Sequence, residues 1–160
     1  MGKEIERKFL VNLSLLNNLP EGSEIKQGYI PAQDVTVRIR IMDNKAYLTL
    51  KGKSKGITRS EFEYSIPIND AKAMLEELCT PPIIEKTRHK INFEDHIWEL
   101  DIFKGDNGGL VMAEVELKSE NETLRVPPWV TKEVSGDRRY FNANLRINPY
   151  MNWDKAPQPH

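Results

Sequence analysis

The chain has 160 residues, 39% hydrophobic and 29% charged, with 23 Lys and Arg against 24 Asp and Glu for a net charge of −1. That length is one domain with room for a real core, and so even a balance argues against the basic excess of a duplex-binding module while leaving room for a locally cationic pocket. Cys79 is the only cysteine, which excludes an internal disulfide; with no apolar run of membrane-spanning length and no signal-peptide segment, the sequence reads as cytoplasmic.

The first predicted element is a strand over Glu4–Val11, where alternation sets Glu4, Glu6 and Lys8 on one face against Ile5, Arg7 and Phe9. A weak helix follows over Leu13–Leu19. The next strands are Glu24–Ile30, then Val35–Met42, with Arg38 and Arg40 opposite Val37, Ile39 and Ile41. Ala46–Lys51 places Leu48 and Leu50 against Tyr47, Thr49 and Lys51. Thr58–Ile66 sets Arg59, Glu61 and Glu63 against Phe62, Tyr64 and Ile66. One clear helix interrupts the series: "NDAKAMLEEL", with Asn69 or Asp70 as N-cap and Ala71, Met74, Leu75 and Leu78 on its apolar face. Three strands then follow. Glu85–Phe93 groups Lys86, Arg88 and Lys90. His96–Phe103 sets Trp98, Leu100 and Ile102 against Glu99 and Asp101. Leu110–Lys118 sets Val115 and Leu117 against Glu114 and Glu116. "MDNKA", "KGKSKG", "FEDH" and "KGDNGG" supply the turns. Thr131–Leu145 reads as a short helix plus loop, and the tail after residue 150 as loose. Residues 1–150 thus form a single domain.

Nearly every strand has one apolar and one ionic face. An antiparallel sheet with one wet face gives the same alternation, and for any one strand that is the simpler reading. Wet faces are, however, usually rich in Ser, Thr and mixed polar groups, whereas these carry full charges in like-signed pairs: Glu4/Glu6, Glu61/Glu63, Glu114/Glu116, Arg38/Arg40 and Lys86/Arg88. Side chains two apart on a strand lie roughly 6.5–7 Å from each other, a spacing at which like charges cost energy unless a counter-ion bridges them. Paired carboxylates suit a hard divalent cation, and paired Arg and Lys suit phosphate oxygens. If the sheet closes with this face inward, the lumen becomes a metal and polyphosphate site, inverting the apolar filling of most small barrels.

"EIERKFLV" resembles the Glu-x-Glu-x-Lys signature of the CYTH superfamily, the triphosphate tunnel metalloenzymes. The likeness runs through "QGYI", "VRIRI", "LTLKGK", "TRSEFEYSI", "KTRHKI", "WELDIF", "AEVEL" and "EVSGDRRYFNANL", in the family's order. It implies an α+β fold: an eight-stranded antiparallel β-barrel with a charged lumen and helices packed outside. It also implies a Mg²⁺- or Mn²⁺-dependent enzyme acting on a small-molecule triphosphate, without nucleic acid or membrane as partner. Carried over, Glu4, Glu6 and Glu116 hold the metal with Glu114 nearby. Lys8, Arg38, Arg40, Lys51, Lys86 and Arg88 clamp phosphates, with Arg59, Glu61 and Glu63 lining the same wall, the two acids placing a second metal or a water. Arg139 reaches one tunnel mouth, and Asp101 is a weaker member. Tyr29 is a candidate proton acceptor, which needs nearby cations for a phenol to serve at neutral pH; the plain alternative is a strand aromatic bonding through its hydroxyl.

The family's tunnel hosts hydrolysis of inorganic triphosphate, hydrolysis of thiamine triphosphate, and cyclisation of ATP. Cyclase-type members carry a His-Phe pair ahead of the first acidic motif, where this chain has only Met1-Gly2-Lys3, and no aromatic surface for a thiamine head is evident. Hydrolysis of inorganic triphosphate, with slow action on nucleoside triphosphates, is therefore expected; a polyphosphate-binding module is the non-enzymatic rival. His89, His96 and His160 lack metal-ligand spacing and read as surface residues. Trp98, Trp129 and Trp153 read as packing groups, Tyr140 and Asn142 as structural hydrogen-bonders closing the barrel end, and Cys79 as inert. Such barrels often pair through an uncovered face, so a homodimer is the assembly to test.

Overall fold

In the computed structural model, which describes residues 2–153, the alternating runs become nine strands. They are β1 (Gly2–Val11), β2 (Ser23–Ile30), β3 (Thr36–Met42), β4 (Lys45–Lys51), β5 (Thr58–Ile66), β6 (Ile84–Phe93), β7 (His96–Phe103), β8 (Val111–Glu116) and β9 (Val130–Glu133). Antiparallel pairings run β1–β5–β4–β3–β2–β6–β7–β8 and return to β1, so eight strands close into a barrel. β1 closes the ring by dividing one edge. Its start, Gly2–Ile5, pairs with β5, and its end, Phe9–Val11, pairs with the extra strand β9. Its other edge matches Glu6 to Glu116, Lys8 to Glu114 and Leu10 to Met112 of β8.

Alternation then decides which side chains meet. The ionic parity looks inward, and the apolar parity packs outside against two covers. Over β1, β7 and β8, Phe9, Trp98, Leu100, Ala113 and Val115 are buried with Trp129. Trp98 stacks tilted against Phe9 at 5.3 Å and edge-on to Trp129 at 5.7 Å. Over β2–β4 lies the helix α1 (Ile68–Glu77), which buries Ala71 with Ile39, Ala46 and Cys79. Gly28 permits this close seat: a Cβ there would stand 2.9 Å from both Cys79 Cβ and Leu75 Cδ2. The outer face of β5 has no cover among the described residues, leaving Phe62 49% and Tyr64 57% exposed.

At one end of the barrel the inward parity itself turns apolar. Ile84, Phe103 and Met112 continue the rows of Lys86, Asp101 and Glu114, and are buried with Val134, Tyr140 and Leu145 of the C-terminal segment. That segment differs from the expected helix and loop. Val130–Glu133 pairs with β1, a 3-10 turn follows over Arg138–Tyr140, and α2 (Asn142–Ile147) comes next. Tyr140 joins the plug through its ring, edge-on to Trp153 at 5.0 Å. Trp153 anchors the start of the supposed loose tail by donating from Nε1 to the Asn148 carbonyl at 3.0 Å. His160 and the rest of the tail lie outside the described residues.

Two smaller expectations also change. Leu13–Leu19 contains only a 3-10 turn, Leu13–Leu15, capped by the Asn12 side chain accepting from Ser14 N. α1 starts one residue before the expected cap: Pro67 occupies the N-cap without a side-chain bond, and Asp70 falls in the first turn, where its charge complements the helix dipole. No helix among the described residues is long and apolar enough to cross a membrane.

Candidate active site

A cavity of about 360 Å³ opens at the end of the barrel where β3 and β5 begin and β4 ends. From the sequence-predicted set it is lined by Glu6, Lys8, Tyr29, Arg38, Arg40, Lys51, Arg59, Lys86 and Glu114. The β4–β5 turn adds Lys53, and the C-terminal segment adds Arg138, Phe141 and Asn142. Glu4, Glu61, Glu63, Arg88, Glu116 and Arg139 do not line it.

Each of those six has a physical reason for its position. Glu4 and Glu61 flank Lys51 Nζ at 3.1 and 3.6 Å, fixing that ammonium at the cavity wall. Glu63 sits 3.5 Å from Arg38 Nη2 and accepts from Thr49 Oγ1 at 2.9 Å. Arg88 gives Asp101 a two-pronged bond, Nε to Oδ1 at 2.8 Å and Nη2 to Oδ2 at 2.9 Å, and is 3.4 Å from Glu99. Glu116 faces Glu6 across the β1–β8 ladder and is exposed. Arg139 turns away, forking onto Asp137 and lying over the Tyr140 and Trp153 rings. Its neighbour Arg138 takes the place at the cavity that the sequence reading gave to Arg139.

The cavity cations are held ready by neutral or shared partners. Arg38 is only 7% exposed, and its Nε is buried with no acceptor among the described residues, a donor suited to an anionic oxygen. Arg59 donates to the Gly52 carbonyl and Thr36 Oγ1. Lys8 Nζ lies 4.9 Å over the Phe141 ring; burial opposes its charge, but Glu114 and Glu6 outweigh burial and raise its pKa. Lys86, fully buried, touches Asp101 Oδ2 at 2.7 Å and donates to Asn142 Oδ1 at 2.9 Å. Burial dominates there, and although Asp101 opposes it, Arg88 and Arg40 add to it, so the Lys86 ammonium falls to about 7. Burial likewise leads, with Arg38 and Arg88, in lowering Arg40 to about 9.

The carboxylates are set against one another. Burial, then Glu114, holds the Glu6 carboxyl well above its usual range. Burial also pushes Glu114 upward, but Lys8, Arg88 and Lys86 outweigh it and hold the Glu114 carboxyl well below its usual range. Burial raises Glu4, aided by Glu61 and Glu114, and raises Glu116, aided by Glu4 and Glu99. Among the described residues no three acidic, His or Cys side chains form a ready metal cluster. The fit to a divalent cation is instead chemical. Glu6 and Glu114 repel one another, which drives their pKa values apart, and a hard cation with oxygen preference would relieve the same repulsion.

Two further residues carry the site, one of them neutral and one the sequence had ranked low. Gln27, completely buried, accepts from Arg40 Nε at 2.8 Å and donates to Tyr29 Oη at 2.8 Å and Asn142 Oδ1 at 3.3 Å. It shares the parity of Tyr29 within "QGYI", which was the available signal. Asp101, rated a weak member, is the main counter-ion of Lys86 and Arg88. Of the histidines, His89 contacts the Pro20 carbonyl at 2.7 Å and His96 the Glu122 carboxylate at 2.5 Å, both remote from the cavity lining.

The CYTH domain family model matches residues 2–141. A protein named inorganic triphosphatase from Acetivibrio thermocellus is 50% identical over 154 residues, spanning 96% of this chain and 99% of that one. A second of the same name, from Nitrosomonas europaea, is 34% identical over 154 residues, spanning 91% and 97%. The crystal structure of the inorganic triphosphatase NE1496 superposes with a TM-score of 0.64 at 32% identity, covering 89% of this chain and 97% of that one.

Proposed function

The chain belongs to the CYTH domain family, and from that premise we propose that it is a divalent-metal-dependent hydrolase cleaving the terminal phosphate of inorganic triphosphate, with nucleoside triphosphates as slower substrates. The observation that carries this reading is the convergence of Lys8, Arg38, Arg40, Lys51, Arg59 and Lys86 on one cavity with the carboxylates of Glu6 and Glu114 at its wall. A pure anion receptor has no use for those acids. The named relatives support the same substrate.

The cations bind the three phosphate groups, neutralise charge as it shifts toward the leaving group, and keep the chain in line for attack; positioning and charge neutralisation are the main sources of rate in phosphoryl transfer. Arg38 and Arg40 supply planar forks, and Lys8, Lys51 and Lys86 supply point charges. Arg59 and Arg138 guard the mouth. Arg88, locked to Asp101, acts from behind by holding Asp101 in place for Lys86. Tyr29 offers its hydroxyl to the reacting phosphate. Glu61 and Glu63 fix Lys51 and Arg38, and through them the water that attacks. Glu4, Glu6, Glu114 and Glu116 are the group that would hold Mg²⁺ or Mn²⁺. When bound, such an ion polarises phosphate oxygens and acidifies a coordinated water.

We place residues 1–150 in one catalytic unit and the protein in the cytoplasm, in keeping with its single free thiol. Its exposed β5 face, with Phe62 and Tyr64, is a surface on which two copies could pair, which sedimentation or scattering would reveal. The defining experiment measures phosphate released from tripolyphosphate, ATP and thiamine triphosphate with and without Mg²⁺ and Mn²⁺. Tripolyphosphate is expected to be the preferred substrate and metal to be required; equal rates on all three would overturn the assignment. Glu6→Gln separates enzyme from binder: turnover is lost while tripolyphosphate affinity is kept or increased.

A further inference from the structure

The polarity of one buried hydrogen-bond chain dictates where the Tyr29 proton points. An arginine side chain can only donate, so the Gln27 atom facing Arg40 Nε at 2.8 Å must be the carbonyl oxygen. This fixes the amide without any choice of flip. Its Nε2 then faces Tyr29 Oη at 2.8 Å and Asn142 Oδ1 at 3.3 Å, and both of its N–H bonds are used. Asn142 Oδ1 is an acceptor on the same logic, because Lys86 Nζ donates to it from the other side at 2.9 Å. Tyr29 therefore accepts from the barrel wall. A phenol has one proton, and with its wall side taken by a donor that proton has to turn elsewhere. Tyr29 lines the cavity, and Lys8 and Arg40, which line it too and interact electrostatically with Tyr29, are donors that need no further proton.

We propose that Gln27, oriented by Arg40, is a positioning residue that forces the Tyr29 hydroxyl to donate its hydrogen bond into the cavity, toward a non-bridging oxygen of the phosphate being transferred. The proposal rests on the triphosphatase reading for the identity of that oxygen, though not for the polarity of the network. Tyr29 then stabilises developing charge as a neutral donor and does not take a proton from water. The same chain joins the C-terminal segment to the cavity, since Asn142 at the start of α2 completes the amide's bonding.

Gln27→Glu and Gln27→Met separate this role from a structural one. The glutamate keeps a partner for Arg40 but can only accept from Tyr29, pulling the hydroxyl proton back to the wall; methionine fills the space and does neither. The expected order of kcat on tripolyphosphate is wild type above Gln27→Met above Gln27→Glu, with about a tenfold and about a hundredfold loss. If Gln27 only anchors Arg40, the two variants fall in the opposite order, overturning the proposal. In a Tyr29→Phe background, Gln27→Glu is expected to cost nothing further in kcat. An undiminished loss there would make the added charge the cause and overturn the idea. The tyrosine Raman doublet, read as wild type minus Tyr29→Phe at pH 7, needs no turnover. It is expected to show a phenol that accepts, shifting in Gln27→Glu to one that only donates. A donor-only phenol or a phenolate in the wild type sinks the proposal. Wild-type protein that releases no phosphate from tripolyphosphate defeats the functional reading alone, and the Raman result still decides this one.

Discussion

The barrel has two unlike walls. In the wall built from β6, β7, β8 and β1, cations and acids are spent on each other: Lys86 and Arg88 share Asp101, and Lys8 faces Glu114. The outside of its β7, β8 and β1 strands is sealed by Trp98, Phe9 and Trp129. In the wall built from β3, β4 and β5, Lys51 is paired with Glu4 and Glu61 and Arg38 touches Glu63, but among the described residues Arg38 keeps an unpartnered Nε, Arg59 is bound only to neutral oxygens, and Phe62 and Tyr64 stand in the open on the outer face of β5. Buried charges that satisfy one another hold geometry, whereas a guanidinium with an open donor or with neutral partners retains capacity for a ligand. One wall is a scaffold and the other a receptor, although the same alternating pattern encodes both.

The comparison breaks most visibly at Asp101. Asp101→Asn strips the common counter-ion from two buried cations and is expected to destabilise the fold by about 3–5 kcal/mol, read from the denaturant midpoint. A loss no larger than that of a surface substitution would deny the scaffold role. Arg38→Ala tests the receptor wall: kcat/KM for tripolyphosphate should fall about ten- to a hundredfold, the weight of one or two charge-assisted bonds, with a smaller change in midpoint. A drop in stability to match Asp101→Asn would erase the distinction.

Lys86 sharpens it through pH. Its folded-state pKa, about 7, lies below the ordinary lysine value of 10.5, so between these values the unfolded chain binds more proton than the folded one. Stability from this group therefore rises as pH climbs from about 7 toward 10, at up to about 1.4 kcal/mol per pH unit. Denaturation at several pH values should show wild type gaining on Lys86→Met over that window, and parallel curves would contradict the cause assigned here. Smallest of all, Phe62→Thr on the uncovered face should shift stability by less than about 0.5 kcal/mol, checked by thermal melting at low concentration, where self-association is suppressed.

Much of this was legible because alternation is a local property. Each ionic row could be assigned to one face from its own strand, and the like-signed pairs argued for an enclosed rather than a wetted face. Register carried the rest unevenly. "FEDH" forms a two-residue turn that pairs Phe93 with His96, Glu94 taking a positive φ, and counting outward from it sets Arg88 opposite Asp101. That pairing was readable, and it explains why Asp101 outranks its sequence-based estimate. β9 was not readable: it has four residues, and its partner is β1, at the other end of the described chain. Nor could the sequence choose between Arg138 and Arg139, because a turn rather than a strand sets their directions. Gln27 escaped for another reason. A search for charge passes over a neutral amide, even one whose orientation is imposed by an arginine.

The divided edge of β1 has a consequence for biosynthesis. Of the described strands, β1 comes earliest and needs β5 and β9 on one side and β8 on the other, so even after β5 is made its remaining edges stay open and half-apolar until β8 and β9, roughly a hundred residues beyond β1, have followed. Contacts of such sequence separation are slow to form, and a strand left open in the interval is exposed to other chains. The row of full charges along its inner side serves a second purpose during that wait, making the nascent strand a poor template for aggregation before it becomes the keystone of the ring.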